Sequence, residues 1–192
     1  MLAPLPDDLD VACLLITGTA GSGKSAVAKE IGELLRLEAT GYAVIDLDAI
    51  AKCTTDPPVP GRFESALLVA NLAAIWPNYQ HYGVRHLVLA RAVVSHDELE
   101  TLRACIPRSH WTVCRLTAPD ELLADRLRAR EPGTALKFLI RVSRELAIEM
   151  DERQIENYVV ANTERSLTEV STDVLDQWLE HLPAPDVRRP EI

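Results

Sequence analysis

The stretch LLITGTAGSGKSAVAKEIGELL, residues 14–35, extends the apolar run CLLI (13–16) into glycines, a lysine and a serine. Val27, Ile31, Leu34 and Leu35 then recur at helical spacing. A buried strand, a glycine-rich turn and an amphipathic helix are predicted in that order. Within the turn, Gly18, Thr19, Ala20, Gly21, Ser22, Gly23, Lys24 and Ser25 match GxxxxGK[ST] in full. Glycines let consecutive backbone N–H groups converge on phosphate oxygens, and the helix that begins here, through Ala26, adds the positive end of its dipole. Lys24 is expected to reach the β- and γ-phosphates, and the Ser25 hydroxyl to coordinate Mg²⁺. The stretch therefore predicts binding of ATP, with GTP possible.

Working outward, further strands are predicted at YAVI (42–45), LVLA (87–90), WTVCRL (111–116) and YVVA (158–161). CLLI, YAVI, LVLA and YVVA are continuously apolar, as expected of parallel strands covered on both faces. Helical spacing separates them: Leu67, Leu68, Leu72 and Ile75, a helix that Pro77 should end or kink; Leu122, Leu123, Arg126, Leu127 and Arg130; and Leu167, Val170, Val174, Leu175 and Trp178. Strands alternating with helices imply an α/β fold: a three-layer, doubly wound parallel sheet of five strands with right-handed crossovers. CTTDPPVPGR (53–62) and REPGTA (130–135) read as loops.

The 192 residues suit a single domain, over about 11–182, with flexible termini at 1–10 and 183–192. A net charge of −9, from 29 acidic and 20 basic residues, argues against binding long nucleic acid. It leaves room for a local cationic pocket. Cys13, Cys53, Cys105 and Cys114 form no CxxC pair, and Cys13 and Cys114 lie in apolar runs that suit buried thiols rather than a metal or redox role. The opening MLAPLPDDLD has no signal-peptide pattern, and no segment reaches the roughly 20 apolar residues of a membrane span. No membrane association is expected, and the cytoplasm is the expected compartment.

YAVIDLDAI (42–50) places Asp46 and Asp48 on one side of an extended chain at the carboxyl edge of the sheet. One acid can hold Mg²⁺ while the other orients a substrate hydroxyl; the plainer role for either is capping the next helix. HLVLARAVV (86–94) ends in Arg91, with no acid until Asp97. An ATP-driven motor normally carries a metal acid at the end of such a strand, so metal help should come from the second strand. That disfavours a motor and favours phosphoryl transfer.

The phosphate loop, the D-L-D of the second strand and the arginine-rich helix after the fourth together resemble the small P-loop kinases. These are the shikimate, gluconate and adenylylsulfate kinases, chloramphenicol phosphotransferase and the nucleoside monophosphate kinases. The similarity spans about residues 11–182. It implies Asp46 as the metal acid, Asp48 as the acceptor ligand, and a short helical lid at about 126–145. Arg126 and Arg130, four apart on one helical face, would stabilise charge on the transferring group, with Arg141 beyond them. Arg128 should be a surface residue. NTERS (162–166) falls where such kinases contact adenine through the backbone. Arg62 and Arg91 would bind an anionic group of the acceptor. The chain departs from the family where shikimate kinases place a glycine-rich turn, here ARAVV, and where adenylylsulfate kinases carry DGDN, here DLDA.

The expected activity is ATP- and Mg²⁺-dependent transfer of the γ-phosphoryl group to a hydroxyl of a small molecule, by a monomer or homodimer. The alternatives are a nucleoside monophosphate kinase and a nucleotide-dependent regulatory ATPase.

Overall fold

A computed structural model describes residues 5–6, 8–38, 40–57, 63–130 and 135–184, with the backbone alone at 63, 130 and 135. The five strands are β1 (Val11–Thr17), β2 (Tyr42–Asp46), β3 (His86–Ala90), β4 (Ser109–Thr117) and β5 (Tyr158–Ala161). The helices are α1 (Lys24–Leu37), α2 (Leu47–Ala51), α3 (Phe63–His81), α4 (His96–Ala104), α5 (Asp120–Arg130), α6 (Ala135–Arg153) and α7 (Leu167–Glu180). All strands pair in parallel, in the order β2-β3-β1-β4-β5. From β1 the chain crosses to the edge strand β2, returns to β3 beside β1, and then passes to β4 and β5 on the other side. Strand order therefore reverses at β1, and the crevice beyond the carboxyl ends of β1 and β3 is where such sheets bind ligands.

Every residue of β1 is buried, because alternate side chains enter two separate cores. Val11, Cys13 and Leu15 pack with Leu68, Leu72 and Trp76 of α3 and Leu99 and Leu102 of α4. Ala12, Leu14 and Ile16 pack with Val27, Ile31 and Leu35 of α1 and Val174 and Trp178 of α7. Burying each large side chain contributes roughly 1.5–3 kcal/mol. Burial pushes the Cys13 thiol up and the Cys114 thiol up to about 12, so both stay protonated and apolar at neutral pH.

Three expectations change. The runs YAVI and YVVA are not doubly covered: β2 and β5 are the sheet edges, burial alternates along both, and Val159 is 50% exposed. Pro77 does not end α3, which continues to His81. The ring sits on an exposed position about one turn from the helix end, so only one ladder bond is lost, and Asn78 Nδ2 donates to Ala74 O at 3.1 Å beside the gap. Packing also begins before Val11: Leu5 is buried against the α1–α7 core, and Asp10 N–H donates to Arg108 O. The expected flexible termini otherwise fall largely outside the described residues, at 1–4, 7 and 185–192.

A buried arginine ties α6 to the sheet. Arg115 of β4, on the α3–α4 face, donates to Ala147 O and pairs with Asp151 at 2.7 Å and Glu156 at 3.5 Å. A buried guanidinium needs such partners to offset its lost hydration. Here the pairing sets where α6 lies over the edge of the sheet.

Candidate active site

The loop Gly18–Gly23 leaves the end of β1 and turns directly into α1. Gly18, Gly21 and Gly23 all have positive φ, 140°, 83° and 100°, which curls the backbone inward. At Gly18 and Gly23 the curl also needs space: a Cβ would collide with Leu116 O at the first and with Asn162 Nδ2 at the second. No side chain caps α1, whereas side chains cap α2, α4 and α7. The amide donors of its first turn therefore face the loop mouth without a side-chain acceptor, as an anion site at a helix start requires. Lys24 Nζ lies across the loop, donating to Thr19 O at 2.9 Å.

The structure brings Ser25 and Asp46 together: Ser25 Oγ donates to Asp46 Oδ2 at 2.6 Å. Asp46 closes β2 and also caps α2, its Oδ1 accepting from the N–H groups of Asp48 and Ala49. Capping and contact with Ser25 thus coexist on one carboxylate. Two hard oxygen donors beside the loop fit Mg²⁺, which takes few protein ligands and fills its octahedron with phosphate oxygens and water. Among the described residues no larger group of metal-ligating side chains occurs.

Asp48 does not continue an extended strand past Asp46, as the D-L-D reading expected. The backbone turns into α2 at Leu47, and Asp48 stands in the first helical turn because Asp46 nucleates it. Its carboxylate meets Arg91 from the end of β3, with Nη1 to Oδ1 at 2.6 Å. Arg91 Nε in turn donates to Glu98 at 3.2 Å. The position where a motor's strand-end acid would stand is therefore occupied by a cation tied to Asp48.

Arg126 reaches the crown of the loop, donating from Nη1 to Gly21 O and from Nη2 to Asn162 Oδ1, both at 3.3 Å. Arg128 is exposed and paired with Asp125. Arg141 is not brought to the site. It is exposed on α6, paired with Glu145 and stacked over Phe138, because its neighbour Ser143 occupies the buried face of that helix. Arg62, the side chain of Arg130 and residues 131–134 of the expected lid lie outside the described residues.

Two loop contacts escaped sequence reasoning. Asn162, 7% exposed, donates from Nδ2 to Ser22 O at 2.8 Å while its own N–H donates to Thr117 O. Ser143 Oγ donates to Ala20 O at 3.3 Å. The one available signal was position, since NTERS follows β5 at the same sheet edge; the side-chain role has no local pattern.

A phosphate loop after the central strand, the parallel order β2-β3-β1-β4-β5 and helices on both faces define the P-loop kinase fold. Solved structures share it at full length. A gluconokinase from Sinorhizobium meliloti 1021 is 20% identical with a TM-score of 0.60, over 90% of this chain and 94% of that one. The Mycobacterium tuberculosis APS kinase in complex with AMPPNP and APS is 22% identical with a TM-score of 0.53, over 92% and 99%. No family model matches the sequence. The DNA replication helicase of human cytomegalovirus, strains Merlin and AD169, is 32% identical over 114 residues, 57% of this chain. The chain spans 10% of the length of these curated relatives. No helix among the described residues is long and apolar enough to cross a membrane.

Proposed function

We propose that the protein is an ATP- and Mg²⁺-dependent kinase of a small hydroxylated molecule. The observation that carries this reading is the convergence of the phosphate loop, Asp46 and Asp48 at one sheet edge, with Ser25 and Asp46 in contact at 2.6 Å. The loop amides and Lys24 bind the triphosphate, and Arg126 ties the loop crown to α5. Ser25 and Asp46 would hold Mg²⁺, which when bound neutralises charge on the β- and γ-phosphate oxygens. Asp48 Oδ1 is held by Arg91, and its Oδ2 is left to accept the acceptor hydroxyl. The hydroxyl oxygen bonds to the γ-phosphorus as the bond from that phosphorus to the β,γ-bridging oxygen breaks. ADP departs, and the hydroxyl proton passes to Asp48 late in the step and then to water. A carboxylate is too weak a base to ionise an alcohol beforehand. Positioning and charge neutralisation supply the catalysis.

The helicase likeness covers 57% of this chain and 10% of the helicase, and Arg91, standing at the end of β3 where a motor carries its metal acid, speaks against a motor. The test is binding of a fluorescent ATP analogue with and without Mg²⁺, together with ADP release over a metabolite panel. Lys24→Ala should weaken binding or turnover at least tenfold, about 1.4 kcal/mol. Unchanged values for both would remove the phosphate loop from the function.

A further inference from the structure

Past the last rung of the β1–β3 ladder, a side chain takes over from the backbone. The register ends with Ile16 opposite Ala90, and Arg91 N–H donates to Ile16 O at 3.2 Å. One step further, Thr17 Oγ1 donates to Val93 O at 2.9 Å and accepts from Val93 N–H at 3.0 Å. A single hydroxyl thus satisfies both backbone groups of Val93, and both residues are fully buried. Thr17 follows Val11, Cys13 and Leu15 on the face toward α3 and α4. A valine there would fill the same space without burying a polar atom. Packing gives no reason for the hydroxyl; the two bonds to Val93 do.

The two ends of this link matter. Thr17 stands immediately before Gly18, the root of the phosphate loop. Val93 stands in the middle of the β3–α4 connection. On one side of it is Arg91, whose Nη1 holds Asp48 at 2.6 Å and whose Nε holds Glu98 at 3.2 Å. On the other side Ser95 caps α4, the helix that carries Glu98. Arg91, Ala92, Val94 and Ser95 also line an open groove of about 840 Å³, large enough for a metabolite. The hydroxyl therefore joins the segment that leads into the triphosphate site to the segment that orients Asp48. A misplacement of about 1 Å between reacting groups can cost about 100-fold in rate.

Resting on the kinase reading above, we propose that Thr17 is a positioning residue for phosphoryl transfer: its hydroxyl ties the β3–α4 connection to the root of the phosphate loop, and so sets Arg91, and through Arg91 the Asp48 carboxylate, relative to the nucleotide. Thr17 itself touches neither substrate. Its role is to hold the distance between the two halves of the site.

The test compares the wild type, Thr17→Val and Thr17→Ser as full chains. ADP release from ATP and Mg²⁺ is followed over a panel of hydroxylated acceptors and with water alone, beside binding of a fluorescent ATP analogue. Solvent exchange of the Arg91 Nε–H is read by ¹⁵N NMR. Thr17→Val should lower kcat about tenfold or more while analogue affinity stays within about threefold, and should speed Arg91 exchange about tenfold. Thr17→Ser keeps the hydroxyl and should return each value to within about threefold of the wild type. In an Arg91→Gln background, Thr17→Val should lower kcat by less than about threefold more, because no guanidinium is left to place. Should Thr17→Val fail to fold, Thr17→Cys, whose thiol bonds only weakly, is read in the same way. Wild-type kcat or unchanged Arg91 exchange in the variant overturns the assignment. So do losses that serine does not restore, or that add in full to those of Arg91→Gln. A fall in analogue affinity that matches the fall in kcat also overturns it, by confining Thr17 to the loop. Analogue binding by the wild type with no ADP release in any arm counts against it as well. Absence of analogue binding by the wild type instead overturns the kinase reading beneath it.

Discussion

Replacing Asn162 by alanine tests whether the phosphate loop is held from outside itself. Asn162 is buried, its Nδ2 donates to Ser22 O at 2.8 Å, and its Oδ1 accepts from Arg126. The truncation leaves the backbone bond to Thr117 O intact but strands Ser22 O in a site with little water. Losing the donor to a buried carbonyl costs about 1–3 kcal/mol, whereas Arg126 keeps Gly21 O and loses less. Urea denaturation should show that loss in global stability. The same contact fixes the curl at Ser22–Gly23, so binding of a fluorescent ATP analogue should weaken by up to roughly tenfold, about 1.4 kcal/mol. Asn162→Asp sharpens the test. It keeps an acceptor for Arg126 but sets a carboxylate against Ser22 O beside the phosphate site, and should bind nucleotide less well than alanine does. Stability of Asn162→Ala within about 0.5 kcal/mol of wild type, with analogue affinity unchanged, would refute the reasoning.

Other outcomes follow from the same contacts. Asp48→Asn should reduce phosphoryl transfer about 100-fold or more while ATP-analogue affinity stays within a few-fold, because the amide cannot take the hydroxyl proton; steady-state kinetics beside a binding titration separates the two. Gly18→Ala combines a φ of 140° with a collision at Leu116 O, and should lower stability by about 1–3 kcal/mol in urea denaturation. His86 is buried with Nε2 unpaired, and burial lowers its pKa below the ordinary 6.5. Above 6.5 both folded and unfolded chains hold the ring neutral; as pH falls from there toward the folded value, only the unfolded chain takes up the proton, so stability drops. That acid-side loss should shrink in His86→Phe, as read by denaturation at a series of pH values.

How much could be read before folding depends on the range of each interaction. The strands at CLLI and LVLA were legible because double burial writes itself as an unbroken apolar run. YAVI and YVVA looked alike in composition yet lie at the edges, since strand order is a property of the whole sheet. Of the two outcomes expected at Pro77, an end or a kink, the end does not occur, because one exposed proline near a helix terminus costs a single bond rather than the helix. Asp48 was placed on a strand because D-L-D alternates, while Asp46 was capping a new helix at that point.

The phosphate loop is local by construction: consecutive amides, three glycines with positive φ and the first turn of α1 lie within a few residues of one another, so a short motif specifies them. The α/β class is determined in the same way, by runs and periods along the chain. Partnerships across the sheet edge are not. Asp48 meets Arg91 across 43 positions, Ala20 meets Ser143 across 123, and Ser22 meets Asn162 across 140. Those contacts depend on parallel register and on the crossovers that bring the ends of β1, β2, β3 and β5 to one rim. They decide that Arg91 is paired with Asp48 and Glu98. A side chain's charge is written in the chain, but whether that charge is already neutralised is settled only by its neighbours in space.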